Sequence, residues 1–139
     1  EHVVDPVAAL ARLREALVPG GCVFLETPNL ASPNARIARA RTWGGYHWPR
    51  HLHLFSPTSM EQVLTAAGLE LVEVRYVPCP VQWVLTLHNA LQERAAPPSW
   101  LLRFTDWRNP VLLALFTVLE LPFLRRGTAN MQVVARRAA

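Results

Sequence analysis

Apolar positions recur along this chain with two different periods. Val7, Leu10, Leu13 and Leu17 follow Asp5-Pro6 at helical spacing, which predicts a helix with Asp5 as N-cap and Pro6 in its first turn. Arg12 and Glu15 fall on the opposite face. Val18-Pro19-Gly20-Gly21 ends that helix, because glycine accepts the left-handed cap and proline cannot continue the ladder. Cys22 to Leu25 is a short unbroken apolar run, the pattern of a strand buried on both faces as in a parallel sheet. Ser56-Pro57 repeats the cap-then-proline start, Met60, Val63, Leu64 and Ala67 make an apolar stripe, and Gly68 supplies the stop. Leu69 to Val77 interleaves Leu, Val and Tyr with Glu70, Glu73 and Arg75, which predicts a partly exposed strand. Met131 to Arg136 reads as a closing strand. Helices alternating with strands predict an α/β fold.

Two stretches lack this regularity. Between Thr27 and Ser56 there is no clean period, yet Trp43, Tyr46, His47, Trp48, Arg50, His51 and His53 crowd together, as in a binding loop. Residues 78–128 are punctuated by proline and strongly apolar over Val81 to Leu91 and Val111 to Leu124. They read as a helical insertion or lid, which divides the chain into 1–77, 78–128 and a closing strand and tail at 129–139.

Composition narrows the classes. Of 139 residues, 51% are hydrophobic and 17% charged, which excludes an intrinsically disordered segment and calls for a packed core. All 14 basic residues are arginine against 10 acidic ones, a net charge of +4. Cys22 and Cys79 lie far apart, so neither a disulfide scaffold nor a zinc ribbon is supported and a reducing cytoplasm is the default compartment. No apolar run approaches the roughly 20 residues of a membrane span.

Four segments then align with a known pattern. Glu1-His2-Val3-Val4-Asp5-Pro6, Leu17-Val18-Pro19-Gly20-Gly21, Glu26-Thr27-Pro28-Asn29 and Pro49-Arg50-His51-Leu52-His53-Leu54-Phe55-Ser56-Pro57 occur in that order. Together they resemble the C-terminal half of class I S-adenosylmethionine-dependent methyltransferases of the type 11/type 23 group, which includes the ubiquinone-biosynthesis O-methyltransferases. The resemblance covers residues 1–77 well, the closing strand loosely and residues 78–128 hardly at all. It implies a partial Rossmann-like sheet, with strands 5, 6 and 7 and flanking helices supplied by this chain and interrupted by the hydrophobic helical insertion. It also implies S-adenosyl-L-methionine as cofactor, with Glu1 and His2 lining its pocket. The glycine-rich motif of such enzymes is expected upstream of Glu1, so the chain is read as part of a longer enzyme, inactive alone.

Methyl transfer is an in-line displacement whose main demand is positioning, and a base is needed only for a poor nucleophile. For a hydroxyl acceptor an imidazole suits that task, which makes His51 and His53 the candidate catalytic residues. In an extended segment both would share one face; alternatively one caps a backbone group and the other packs under the loop. Thr27, Pro28 and Asn29, just after a strand, are expected to border the acceptor, though Asn29 also suits a plain turn. Trp43, Trp48 and Arg50 complete the expected acceptor site. A metal held by His47, His51 and His53 is weighed and set aside, because no second cluster supports it. Arg36, Arg39, Arg41 and Arg50 among aromatics raise nucleic-acid binding, but they form no long basic stripe; the set better suits a small or lipid-like acceptor carrying a phosphate or carboxylate.

The run from Val111 to Leu124, with Trp100, Phe104 and Trp107 before it and Arg125-Arg126 after it, has two readings. One, slightly preferred, is a buried helix covering the sheet edge or the acceptor pocket. The other is peripheral membrane contact. His88 is expected to be a packed residue. The functional expectation is O-methylation of a small or lipid-like acceptor; the alternative is a non-catalytic binding or membrane-peripheral module derived from such an enzyme.

Overall fold

The computed structural model describes residues 1–38 and 41–138. Its order is α1 (Pro6–Ala16), β1 (Cys22–Pro28), α2 (Pro33–Ile37), α3 (Pro57–Ala66), β2 (Leu69–Val77), α4 (Pro80–Gln92), α5 (Ser99–Phe104), α6 (Pro110–Glu120), a 3-10 turn (Leu121–Phe123) and β3 (Asn130–Arg137). The expected caps are in place. Asp5 accepts from the Ala8 N–H at 2.9 Å, and Ser56 and Ser59 exchange side-chain and backbone hydrogen bonds in a reciprocal cap. Gly68, at φ +74°, takes the left-handed conformation that ends α3, whereas α1 ends at an extended Leu17 and Gly20, also at φ +74°, turns the chain three residues further on.

The three strands form one mixed α/β layer in the order β1-β3-β2, with β3 antiparallel to both neighbours. One extra residue between Leu71 and Glu73 shifts the β2–β3 register. On one face, Met131, Val133 and Ala135 of β3 are buried with Leu10 of α1, Met60 and Leu64 of α3, Leu69 of β2 and Phe55. The other face carries a polar ladder, in which Asn130 and Gln132 donate to the two oxygens of Glu26 at 2.7 and 2.9 Å.

That second face corrects the reading of β1. Cys22 and Phe24 are exposed and the pairing is antiparallel, so among the described residues the strand is buried on one face only. An unbroken apolar run cannot reveal how many layers will cover it.

Residues 78–128 are helical, as expected, and α6 packs on α4 rather than on the sheet. They are tied to the sheet by polar contacts. The buried Glu120 carboxylate accepts from the Cys79 N–H at 2.6 Å and the Ala129 N–H at 2.7 Å. Gln82 donates to Asn130 at 3.0 Å, and Thr128 donates to the Val77 carbonyl at 2.6 Å.

Candidate functional site

At the carboxyl end of β1 the chain turns back through the irregular segment 41–55. A lone parallel bridge, Asn29 to Phe55, closes that segment against the strand end. Asn29 is buried with both ends of its amide engaged: Nδ2 donates to the Thr128 carbonyl at 3.1 Å and Oδ1 accepts from the Ala31 N–H at 2.9 Å. Asn29 thus holds a turn, the plainer of its two readings.

The same segment receives the beginning of the chain. Leu52 and His53 donate their N–H groups to the Glu1 carbonyl at 2.7 and 3.3 Å. His2 Nδ1 bonds the Arg50 carbonyl at 2.9 Å and His53 Nε2 bonds the Val4 carbonyl at 3.1 Å. The Glu1-His2 and Arg50-to-His53 motifs, remote in sequence, are therefore one structural unit.

Three imidazoles line up within it. The His51 ring lies 4.9 Å from that of His2 and 5.1 Å from that of His47, both edge-on. His51 Nδ1 is 2.7 Å from the Gly45 carbonyl. A carbonyl only accepts, so Nδ1 carries the hydrogen and, in the neutral ring, Nε2 is the accepting nitrogen. That Nε2 is 3.9 Å from Glu1 Oε1, and His2 Nε2 is 3.7 Å from the same oxygen. By the same logic His2 donates through Nδ1, so two nitrogen lone pairs and a carboxylate face one another. Such a set holds a proton or a cation. The ligand atoms of Glu1, His2 and His51 all lie within 4.8 Å of one another, so the cluster with metal-ligand geometry differs from the His47, His51 and His53 set weighed from spacing.

The extended conformation that would align His51 and His53 is not formed. Arg50 and His51 donate to the His47 carbonyl at 3.0 and 3.3 Å, closing a turn with His47 at φ +35°. His53 instead stacks on Phe55, with centroids 6.0 Å apart, and its donor is spent on Val4, which leaves Nδ1 as its acceptor.

His47 faces an open cavity of about 590 Å³ lined also by Arg41, Trp43, Tyr46, Trp48, Asn89, Gln92 and Glu93. Burial, then the charges of His51, Arg50 and His2, hold its imidazole below the ordinary histidine value. Trp43 is 3% exposed and forms part of the cavity's floor, whereas Trp48 is 65% exposed at its rim. Arg50 does not line the cavity; Arg41 does. Arg36 is exposed on α2, and Arg39 lies outside the described residues. Asn89 and Gln92 of α4 and Glu93 at its C-cap escape sequence reading because only the docking of α4 brings them there. Their sole local signal is polarity at the end of an apolar helix. His88, expected to be packed, bonds Thr105 at 3.0 Å and sits 3.1 Å from Gln92 Nε2.

A second cavity, about 190 Å³, is lined by Glu1, Leu10, Leu25, Glu26, Thr27, Phe55 and Met60 among others. The buried Thr27 hydroxyl there has no hydrogen-bond partner, and Pro28 is buried beside it. The cavity is smaller than the roughly 300–1,000 Å³ of a whole ligand site. Both glycine pairs have local duties. Gly20-Gly21 forms the turn into β1, while a Cβ on Gly44 would collide with the Gln82 carbonyl and one on Gly45 with the Trp43 ring.

A polar, histidine-rich cluster thus lies at the carboxyl end of β1 in a mixed α/β fold whose small sheet has three strands. The sequence profile of a family described as a methyltransferase domain matches residues 1–74, and the chain belongs to that family. It is also similar to a ubiquinone biosynthesis O-methyltransferase of Rhizobium leguminosarum bv. trifolii (strain WSM2304), 32% identical over 94 residues, which cover 62% of this chain and 37% of that protein. The chain thus spans little more than a third of the relative it matches.

Proposed function

We propose that this chain is the acceptor-side, sheet-completing part of an S-adenosylmethionine-dependent O-methyltransferase acting on a small or lipid-like acceptor. The observation that carries the reading is the joining of Glu1-His2 to the His47-to-His53 turn at the carboxyl end of β1. In this reading β1, β2 and β3 stand as strands five, six and seven of a Rossmann-like sheet. Residues 1–77 and 129–139 complete that sheet and 78–128 are an insertion, whose α4 walls the acceptor cavity.

The residues present fit one edge of the cofactor. Glu1 and the unpartnered Thr27 hydroxyl line the adjoining cavity, with His2 next to Glu1 but outside that lining, and the cavity takes only part of such a molecule. When bound, S-adenosylmethionine supplies an electrophilic methyl group for in-line displacement. This chain's own residues would position the acceptor and move its proton. Trp43, Tyr46 and Trp48 offer ring faces, and Arg41 a cation for an anionic substituent. His51 is the preferred base, because its Nδ1–H is fixed on the Gly45 carbonyl and its Nε2, directed at Glu1, is the accepting nitrogen, with His47 standing between it and the cavity that His47 lines. Glu1 beside that Nε2 steadies the imidazolium that results. His53, with Nδ1 available, is the second candidate.

The test is calorimetric titration of S-adenosylmethionine into the full-length protein and into residues 1–139 alone, followed by an acceptor screen with the full-length protein. Binding by the full-length protein and its near-loss in the shorter chain is the expected outcome. Absence of binding by the full-length protein overturns the reading.

A further inference from the structure

Helix α6 is turned inside out. After Pro110 at its first position, its exposed positions are 111, 114, 115, 118 and 119, the spacing of one helix face, and they are Val111, Ala114, Leu115, Val118 and Leu119. Val111 and Val118 are 65% and 62% exposed. An ordinary surface helix carries its polar residues there. The inner face is occupied: Leu112 is buried, Phe116 stacks on Trp83 of α4 at 5.6 Å, and Glu120 is fixed to the backbone of Cys79 and Ala129. These contacts prevent the helix from rolling its apolar stripe inward. The preferred expectation of a buried helix is therefore corrected: α6 covers α4 and leaves its own outer face open.

Exposed apolar residues also flank the helix along the chain. Leu121, Phe123 and Leu124 are exposed after it, and Trp100, Phe104 and Trp107 are exposed before it. An exposed apolar helix face of this kind, flanked along the chain by further exposed apolar residues, marks an interaction site. Its charge identifies the partner. Arg103 and Arg108 precede the stripe, Arg125 and Arg126 follow it, and all four are exposed. Of the two acids in 99–126, Glu120 is buried and Asp106 accepts from the Arg108 N–H at 2.8 Å. An apolar stripe bracketed at both ends by arginine, with indole rings at one end, matches the layered chemistry of a bilayer interface with anionic headgroups. No helix among the described residues is long and apolar enough to cross a membrane.

We propose that α6, with α5 and the 3-10 turn, lies flat on the surface of an anionic lipid bilayer, its stripe in the acyl boundary and its arginines on the headgroups. This interface is independent of the catalytic reading. Cosedimentation of the full-length protein with vesicles of phosphatidylcholine alone, or mixed equally with phosphatidylglycerol, tests it. Binding to the mixed vesicles should be at least about tenfold tighter and should weaken with salt. The Leu115→Gln/Val118→Gln variant should lose binding to both vesicle types, whereas Arg125→Gln/Arg126→Gln should lose only the anionic preference. Both pairs are solvent-facing, so an unchanged melting temperature serves as the folding control. No vesicle binding by the parent protein, or equal binding by the Leu115→Gln/Val118→Gln variant, overturns the proposal. So does a dimer on size-exclusion chromatography that this variant abolishes, which would assign the stripe to a second copy.

Discussion

Glu1 and His51 face each other across 3.9 Å, carboxylate oxygen to Nε2, although α1, β1 and α2 all separate them in sequence. The Gly45 carbonyl fixes the far side of the imidazole, so the nitrogen directed at Glu1 is the basic one. Under the proposed methyltransferase reading, His51→Ala in the full-length protein should lower kcat by about 10²- to 10⁴-fold and leave the affinity for S-adenosylmethionine nearly unchanged. His53→Ala should cost less. Steady-state kinetics with a competent acceptor decide this, and undiminished turnover in both variants removes the histidine base.

His47 gives the fold a pH dependence with a definite sign. Burial, followed by neighbouring positive charge, lowers its pKa in the folded state. As pH falls through the ordinary histidine value of about 6.5, the unfolded chain takes up a proton that the fold resists, and stability declines. The decline stops below the folded pKa. The drop in melting temperature between neutral and mildly acidic buffer should therefore be smaller in His47→Gln than in the parent. Identical profiles would show that the ring does not titrate differently in the two states.

Glu120 holds the helical section to the sheet. Its carboxylate serves two backbone N–H groups, those of Cys79 and Ala129, beside the Thr128–Val77 and Gln82–Asn130 bonds that also join these segments. Glu120→Ala would strip both of their acceptor and should cost about 2–4 kcal/mol in urea unfolding, since bonds to a charged group contribute about 1.5–3 kcal/mol each and are not fully additive. Loss below about 0.5 kcal/mol would mean that water replaces the carboxylate at little cost.

The glycines separate backbone conformation from packing. At Gly20 the φ of +74° is the sole obstacle to a side chain, because a Cβ there meets open space. Gly20→Ala should cost about 1–2 kcal/mol. At Gly44 the obstacle is the Gln82 carbonyl of α4, which cannot move without its helix. Gly44→Ala should be the more damaging of the two and should also perturb the cavity wall at Asn89 and Gln92. Chemical denaturation of both variants checks the order.

The local elements were legible wherever one residue's chemistry sets the backbone. Asp5-Pro6, Ser56-Pro57 and Gly68 mark their helix ends correctly, and β2 occupies the expected Leu69–Val77. Short α2 was not legible, because five residues carry too little periodicity to stand out from a loop. The proximity of Glu1-His2 to the His51 segment could be expected only from the family resemblance, and its atomic form could not be expected at all. Periodicity reports which face of an element is apolar and stays silent on which backbone carbonyl will orient an imidazole.

The sequence by itself determined the α/β class, the capped helices, the strands and a histidine-rich loop, since each follows from the conformational preferences of neighbouring residues. Only the tertiary structure decided that β3 lies between β1 and β2, that Glu1, His2, His47 and His51 share one cluster, and that α6 shows its apolar face to the outside. These are long-range choices, set by which surfaces meet when the chain closes on itself and by single polar anchors such as Glu120, and no local pattern encodes them.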